Sequence, residues 1–138
     1  MSALPEVTIT STDRRRLVAV ATAALPSRHD GVAASMLLSE IARASVVAPE
    51  SLPATVVGIG CEIDVRDNIM GTTEHLRIVF PGEEDGGAHA ISVLTPLGAT
   101  LIGLREGASI DWCTPTRDRK SHTVLRVGRR EQGPVLQK

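Results

Sequence analysis

The sequence predicts an α+β fold: an N-terminal antiparallel two-helix hairpin followed by an antiparallel β-sheet wrapped around one short helix. Three observations carry this. Apolar residues recur at helical spacing as far as Ala44, and beyond Pro53 they recur at a period of two. Pro49 and Pro53 mark the change. Between Ile91 and Trp112 the run ISVLTPLGATLIGLREGASIDW reads as a strand, a short helix and a second strand with almost nothing between them. Residues 1–50 are therefore a short, coiled-coil-like helical hairpin and residues 51–138 the sheet domain.

Val7 and Ile9 alternate briefly before Thr10-Ser11-Thr12-Asp13, which offers N-cap residues ahead of Arg14. Leu17, Val20 or Ala21, and Ala24 fall on one face. Leu25-Pro26 ends the helix, because the residue before proline is pushed out of the α region. A second stripe follows Asp30-Gly31, formed by Val32, Met36, Leu37, Ile41 and Ala44. Helices joined by a short connection pack antiparallel. Each has one apolar face, so the pair is not an independent domain.

After Pro53, Thr55-Val56-Val57 reads as a strand meeting a bend or bulge at Gly58-Ile59-Gly60. Cys61, Ile63 and Val65 alternate with Glu62, Asp64 and Arg66, a half-buried strand. Asp67-Asn68 with Gly71 supplies a hairpin turn, and Leu76, Ile78 and Phe80 alternate with His75, Arg77 and Val79. Pro81 to Gly87 is a loop. Ile91 and Val93 are extended, and Pro96 opens the short helix with its pre-set φ. Leu97, Leu101 and Leu104 make its apolar side, so it must lie against the sheet, since so short a helix is unstable alone. Glu106-Gly107 is a turn, and Ile110 and Trp112 resume alternation around Asp111. Trp112 is expected in the core against the short helix. Thr114 to Ser121 reads as a polar loop, His122 to Arg130 as the last strand, and the tail from Glu131 as polar and frayed.

Composition narrows the function. With 15 basic and 16 acidic residues among 138, the chain lacks the positive field that non-specific nucleic-acid binding needs. One Phe, one Trp and no Tyr leave few platforms for stacking bases. No apolar run approaches the roughly 18 residues of a membrane span. MSALPEVTIT has no charged leader before an apolar core, so the expected compartment is the cytoplasm, with no membrane partner. Cys61 and Cys113 are expected as reduced, strand-borne core residues. His29, His75, His89 and His122 lack paired metal spacing, and no C-x-x-C occurs, so no metal and no cofactor are expected. Glu83-Glu84-Asp85 lacks the ligand alternation of a calcium loop and reads as solvated. Gly58-Ile59-Gly60 lacks the third glycine and following helix of a phosphate loop. No triad, carboxylate pair or activated cysteine emerges, which points to a non-enzyme. Two readings stay open for Arg14, Arg15 and Arg16, and for Arg126, Arg129 and Arg130: a solvated face, or contact with an acidic partner.

Ser92, Val93, Thr95, Pro96, Gly98, Leu101, Gly103 and Gly107 match a pattern that runs roughly S-V-x-[ST]-P-x-G-x-A-L-x-G-x-x-x-G-D. With them the chain resembles the C-terminal, FKBP-like domain shared by transcription elongation factors of the GreA/GreB type and the Rnk family of nucleoside diphosphate kinase regulators. Thr100 stands where Ala is common, and Ala108 where Asp is common. PEVTITSTDRRRL and SEIARASVVAPESLPATVV are similar to the Rnk helices and their proline-bounded exit. The resemblance covers about Pro5 to Arg130.

It implies an FKBP-like sheet domain and a protein that docks on bacterial RNA polymerase near its secondary channel. DNA would be reached only indirectly, through polymerase. The implied contacts are the hairpin tip, Ser27, Arg28, His29 and Asp30, and the motif segment, Thr95, Pro96 and Gly98. Cleavage-stimulating relatives place two acids at the end of a long arm beside the polymerase's magnesium. Helices of 14 to 16 residues reach only about 21–24 Å. The tip here, Pro26-Ser27-Arg28-His29-Asp30-Gly31, has a single carboxylate. Binding without transcript-cleavage stimulation is therefore expected. Asp30 keeps a second role as helix N-cap, since Ser27-x-x-Asp30 fits a capping box. A prolyl isomerase would need an aromatic pocket that Phe80 and Trp112 cannot wall. The chain is expected to be a monomer, because no strand reads as a long bare apolar edge.

Overall fold

Thr10 starts the first helix with its own side chain. In the computed structural model, which describes residues 4–84 and 89–128, its hydroxyl accepts the Asp13 backbone N–H at 3.0 Å. Thr10 thus ends strand β1 (Thr8–Thr10) and caps α1 (Ser11–Ala24), satisfying one of the donors a helix start leaves free. α2 (Gly31–Ala42) follows the connection 25–30 and packs against α1. β2 (Ser45–Val47) then pairs in parallel with β1, with Ile9 opposite Val46.

A 3-10 turn at Pro49–Ser51 leads into the main sheet. Its strands are β3 (Glu62–Asp67), β4 (Thr73–Val79), β5 (Ala90–Ser92), β6 (Ser109–Cys113) and β7 (Arg119–Val127), in the order β5-β4-β3-β7-β6. α3 (Pro96–Leu101) lies between β5 and β6 in the chain and packs on α2. One apolar cluster joins Leu17, Ala21, Ala34 and Leu37 of the helices to Ile63, Ile78, Leu101 and Val124. Among the described residues no helix is long and apolar enough to cross a membrane.

Several elements differ from the expectation. The sheet is not wholly antiparallel: β5 runs parallel to β4, with Ile91 opposite Ile78. Thr55–Val57 forms no strand. Val56 makes a single bridge to Arg105, and Val57 exchanges backbone bonds with Leu104 and Gly103, between turns on either side. α3 ends at Leu101, so Leu104 lies beyond it. Gly103, at φ +83°, turns the chain so that Leu104 returns to Val57.

On α2 the buried positions are Ala33, Ala34, Leu37 and Ile41, whereas Val32 is exposed. The small alanines leave room for close packing that a valine stripe would not. The polar loop after β6 shrinks to residues 114–118, where the Thr114 hydroxyl accepts the Asp118 N–H at 3.0 Å and lets Arg119 and Lys120 pair with Cys113 and Trp112. Cys61 is buried just before β3, and Cys113 is exposed, so only one of the two thiols belongs to the interior. Asp85, Gly86 and Gly87 of the predicted loop, Arg129 and Arg130 of the predicted last strand, and the tail from Glu131 lie outside the described residues.

Candidate partner-binding site

The connection between α1 and α2 is organised by Ser27. Its hydroxyl accepts the backbone N–H groups of His29 and Asp30, each at 3.1 Å, and its carbonyl accepts that of Gly31 at 2.9 Å. Asp30 precedes α2, but its carboxylate makes no capping bond, which corrects the capping expectation for that side chain. Its backbone is already near-helical (φ −107°, ψ −7°), whereas a capping residue is extended and aims its side chain back at the first amides. The carboxylate instead takes the His29 Nδ1 at 2.9 Å. The His29 side chain is 95% exposed, and Arg28 is exposed beside it. The tip therefore offers one cation and one imidazole–carboxylate pair.

Thr95, Pro96 and Gly98 do a different job. The Thr95 hydroxyl donates to the Ser92 carbonyl at 2.7 Å and accepts the Gly98 N–H at 3.0 Å, capping α3 with Pro96 in its first turn. Thr95 and Pro96 are partly exposed, while Gly98 is buried against Ser92. Among the described residues no hydrogen bond or ion pair links this segment to the tip.

The open face of the sheet carries a charge ladder. His75 Nδ1 lies 2.7 Å from Asp64 Oδ1, and its Nε2 bonds to Glu62. Arg77 stands 3.8 Å from Glu62, and Arg126 3.9 Å from Asp64. The Asp64 carboxylate, with Glu62 behind it, raises the His75 pKa above its ordinary 6.5. A raised pKa means the folded state holds the proton more tightly, so the stabilisation is complete below the unfolded value and disappears as pH climbs through the folded one. His75→Gln is therefore expected to lower the melting temperature more at about pH 6 than at about pH 9. Equal losses at both values would contradict the ladder. Among the described residues no group of three or more His, Cys, Asp or Glu is suited to a metal ion.

Two features escaped the sequence reading. Arg16 is not simply solvated: its guanidinium lies 3.9 Å over the buried Phe80 ring, and Nη2 is 3.6 Å from Glu83. This ties α1 to the end of β4. At the other end of the sheet, Asp67 Oδ1 accepts the N–H groups of Ile69 and Met70 at 3.0 and 2.9 Å. The Met70 N–H is the main cause of a lowered Asp67 pKa. His122, its pKa pushed down by burial, accepts the Trp112 indole N–H on Nδ1 at 3.0 Å and stacks with that ring at 5.8 Å. Trp112 is half-buried, packed against the apolar cluster that includes Ala99 and Leu101 of the short helix, with its indole N–H on His122. The Asp67-Asn68 turn signal located the hairpin, but nothing in it marked Ile69 and Met70 as exposed.

A cleft of about 470 Å³ opens between the start of α1 and the segment before β3, lined by Thr10, Asp13, Arg16, Leu52, Val56 and Cys61 among others. Its size suits a small molecule. Asp13 is its one carboxylate and no histidine lines it among the described residues, so Cys61 has no neighbouring base there.

Residues 52–129 match the family described as "Transcription elongation factor, GreA/GreB, C-term", and residues 5–47 match "Rnk N-terminus". The Escherichia coli K12 protein named "Regulator of nucleoside diphosphate kinase" is 34% identical over 82 residues, 59% of this chain and 60% of that protein. The match thus spans about 60% of the length of that curated relative. A transcription elongation factor GreA of Azorhizobium caulinodans is 30% identical over 72% of this chain and 63% of its own length. Among solved structures, a GreA/GreB-type prokaryotic transcription elongation factor from Nitrosomonas europaea superposes with a TM-score of 0.68 at 30% identity. That superposition covers 89% of this chain and 99% of the other. The mixed fold of three α-helices and a curled five-stranded sheet is therefore the GreA/GreB one, as the motif around Pro96 implied. The chain belongs to the GreA/GreB C-terminal family, and it carries an Rnk-type N-terminus ahead of that domain.

Proposed function

We propose that this protein is a non-enzymatic transcription regulator that binds bacterial RNA polymerase near its secondary channel without stimulating transcript cleavage. The antiparallel helix pair would face inward, and the FKBP-like sheet domain would rest on the rim. One observation carries the reading: a GreA/GreB-type domain is joined to helices of only 14 and 12 residues, about 21 and 18 Å long, whose tip holds one carboxylate. Placing a second acid beside the polymerase's magnesium needs a longer arm and a free carboxylate. Here Asp30 is engaged by His29. Arg28 adds a cation where a metal-directed tip would carry negative charge.

The relatives' names support a role in transcription, and DNA is reached through polymerase. The protein works in the cytoplasm as a monomer. A prolyl isomerase finds no support: Phe80 is covered by Arg16, and Trp112 stacks on His122, so the two aromatics wall no common pocket. Purified core RNA polymerase should retain the chain. Replacing Arg28, His29 and Asp30 together by Ala should weaken retention about tenfold, the effect of losing roughly 1.4 kcal/mol at a contact. Unchanged retention would remove the tip from the interface.

A further inference from the structure

β6 is an edge strand of the main sheet and pairs only with β7 among the described residues. Its Trp112 is held there by His122. The indole N–H donates to His122 Nδ1 at 3.0 Å, and the two rings stack with centroids 5.8 Å apart. An indole N–H can only donate, so the nitrogen it meets keeps its lone pair and the His122 proton sits on Nε2. Nε2 lies 4.0 Å from Asp67 Oδ2, while Asp67 Oδ1 is occupied by the turn amides of Ile69 and Met70. His122 is 8% exposed. Asp67 from β3 and Glu74 from β4 favour a charge on its ring, and Lys120 on its own strand opposes one. Asp111 of β6 falls on the other face from Trp112.

We propose that His122 is an acid-operated latch on this sheet edge: neutral, it holds Trp112, and protonated, it pairs with Asp67 and releases the indole. The added proton takes up the Nδ1 lone pair, which leaves two N–H groups facing each other. The same proton gives the ring a full charge toward Asp67 Oδ2, an attraction that strengthens where water is excluded. Burial resists the proton and lowers the His122 pKa from 6.5. With the folded value below the unfolded one, the latch stabilises the fold fully above pH 6.5 and is lost as pH falls through the folded value. His75 acts in the opposite sense, its contribution fading as pH rises, so direction separates the two.

The test follows the full chain from about pH 7.5 to about pH 5, above the ordinary carboxylate range. Trp112, the sole tryptophan, reports through its emission maximum and its quenching by acrylamide, and NMR follows the His122 ring. In wild type the emission should move to longer wavelength and quenching should rise in step with the His122 signal, at one midpoint below 6.5. His122→Asn keeps an acceptor near the Nδ1 position but no titrating proton, so its emission should stay flat. Asp67→Asn removes the attracting charge and keeps an oxygen for the turn amides, so the midpoint should fall. Trp112→Phe removes the opposing N–H, so His122 should titrate at higher pH than in wild type. A His122 titration that leaves emission maximum and quenching unmoved overturns the latch, because the imidazolium then stays on the indole as a cation–π pair. Emission changes that persist in His122→Asn overturn it in favour of another titrating group. Should His122→Asn not fold, Trp112→Phe still decides: a His122 midpoint at or below the wild-type value overturns the proposal.

Discussion

Gly103→Ala is expected to lower stability by about 2–4 kcal/mol, combining the left-handed strain of a non-glycine residue with overpacking of the interior. Gly103 sits at φ +83°, and a methyl group there would lie 2.5 Å from Val7 Cγ1, 3.1 Å from the Thr8 carbonyl oxygen and 3.3 Å from Ile9 Cγ2. None of these neighbours can yield easily. Val7 and Ile9 are buried, β-branched and stiff, and the Thr8 N–H is already bonded to the Gly103 carbonyl at 2.9 Å. The substitution therefore strikes where β1 crosses the end of α3. Gly98→Ala provides a comparison with normal backbone geometry: its methyl group would meet the Ser92 carbonyl oxygen at 2.4 Å. Part of that clash is offset by the better helix propensity of alanine, so about 1–3 kcal/mol is expected. Thermal denaturation measures both, at roughly 3–5 °C per kcal/mol for a chain of this size. Gly103→Ala melting within a degree of wild type would mean that β1 does not press on Gly103.

Leu37→Ala is the second large effect, at about 2–5 kcal/mol for a fully buried leucine that leaves a cavity. Leu37 has no exposed surface, and α2, which carries it, packs on both α1 and α3. The loss should therefore appear in a single cooperative transition, with helix and sheet signals falling together. Circular dichroism follows the helices, and Trp112 on β6 reports the sheet. If Leu37→Ala melts the helices early while the Trp112 signal is unmoved, the helices and the sheet do not share a core.

Much of this architecture was legible because the local signals were unambiguous. Strict alternation from Cys61 to Val65 and from Leu76 to Phe80 gave β3 and β4, and Asp67-Asn68-x-x-Gly71 gave their turn. Leu25-Pro26 marked the end of α1, and Thr10 to Asp13 offered its N-cap candidates, of which Thr10 is the cap. What failed depended on tertiary context. Whether β5 joins β4 parallel or antiparallel is a matter of tertiary pairing, which no period in the sequence encodes. Val32 and Ala33 are both apolar, and only the close approach of α1 selects the smaller one for burial.

The tip shows the same division. The Ser27-x-x-Asp30 spacing read as a capping box with Asp30 as the cap, but Ser27 does the bonding, because the backbone at Asp30 is already near-helical. The sequence left Arg16 open between a solvated face and a partner contact because its own partners, Phe80 and Glu83, are more than sixty positions away in sequence. In the motif segment, the glycine that carried the resemblance is buried as packing against Ser92, and its exposed neighbours are Thr95 and Pro96.

Transcript cleavage by backtracked RNA polymerase, measured with saturating amounts of this protein, probes the short, single-carboxylate arm most directly. The protein should be bound to the complex while the transcript shortens at the unassisted rate. Cleavage accelerated to the rate produced by a GreA/GreB cleavage factor would contradict the account.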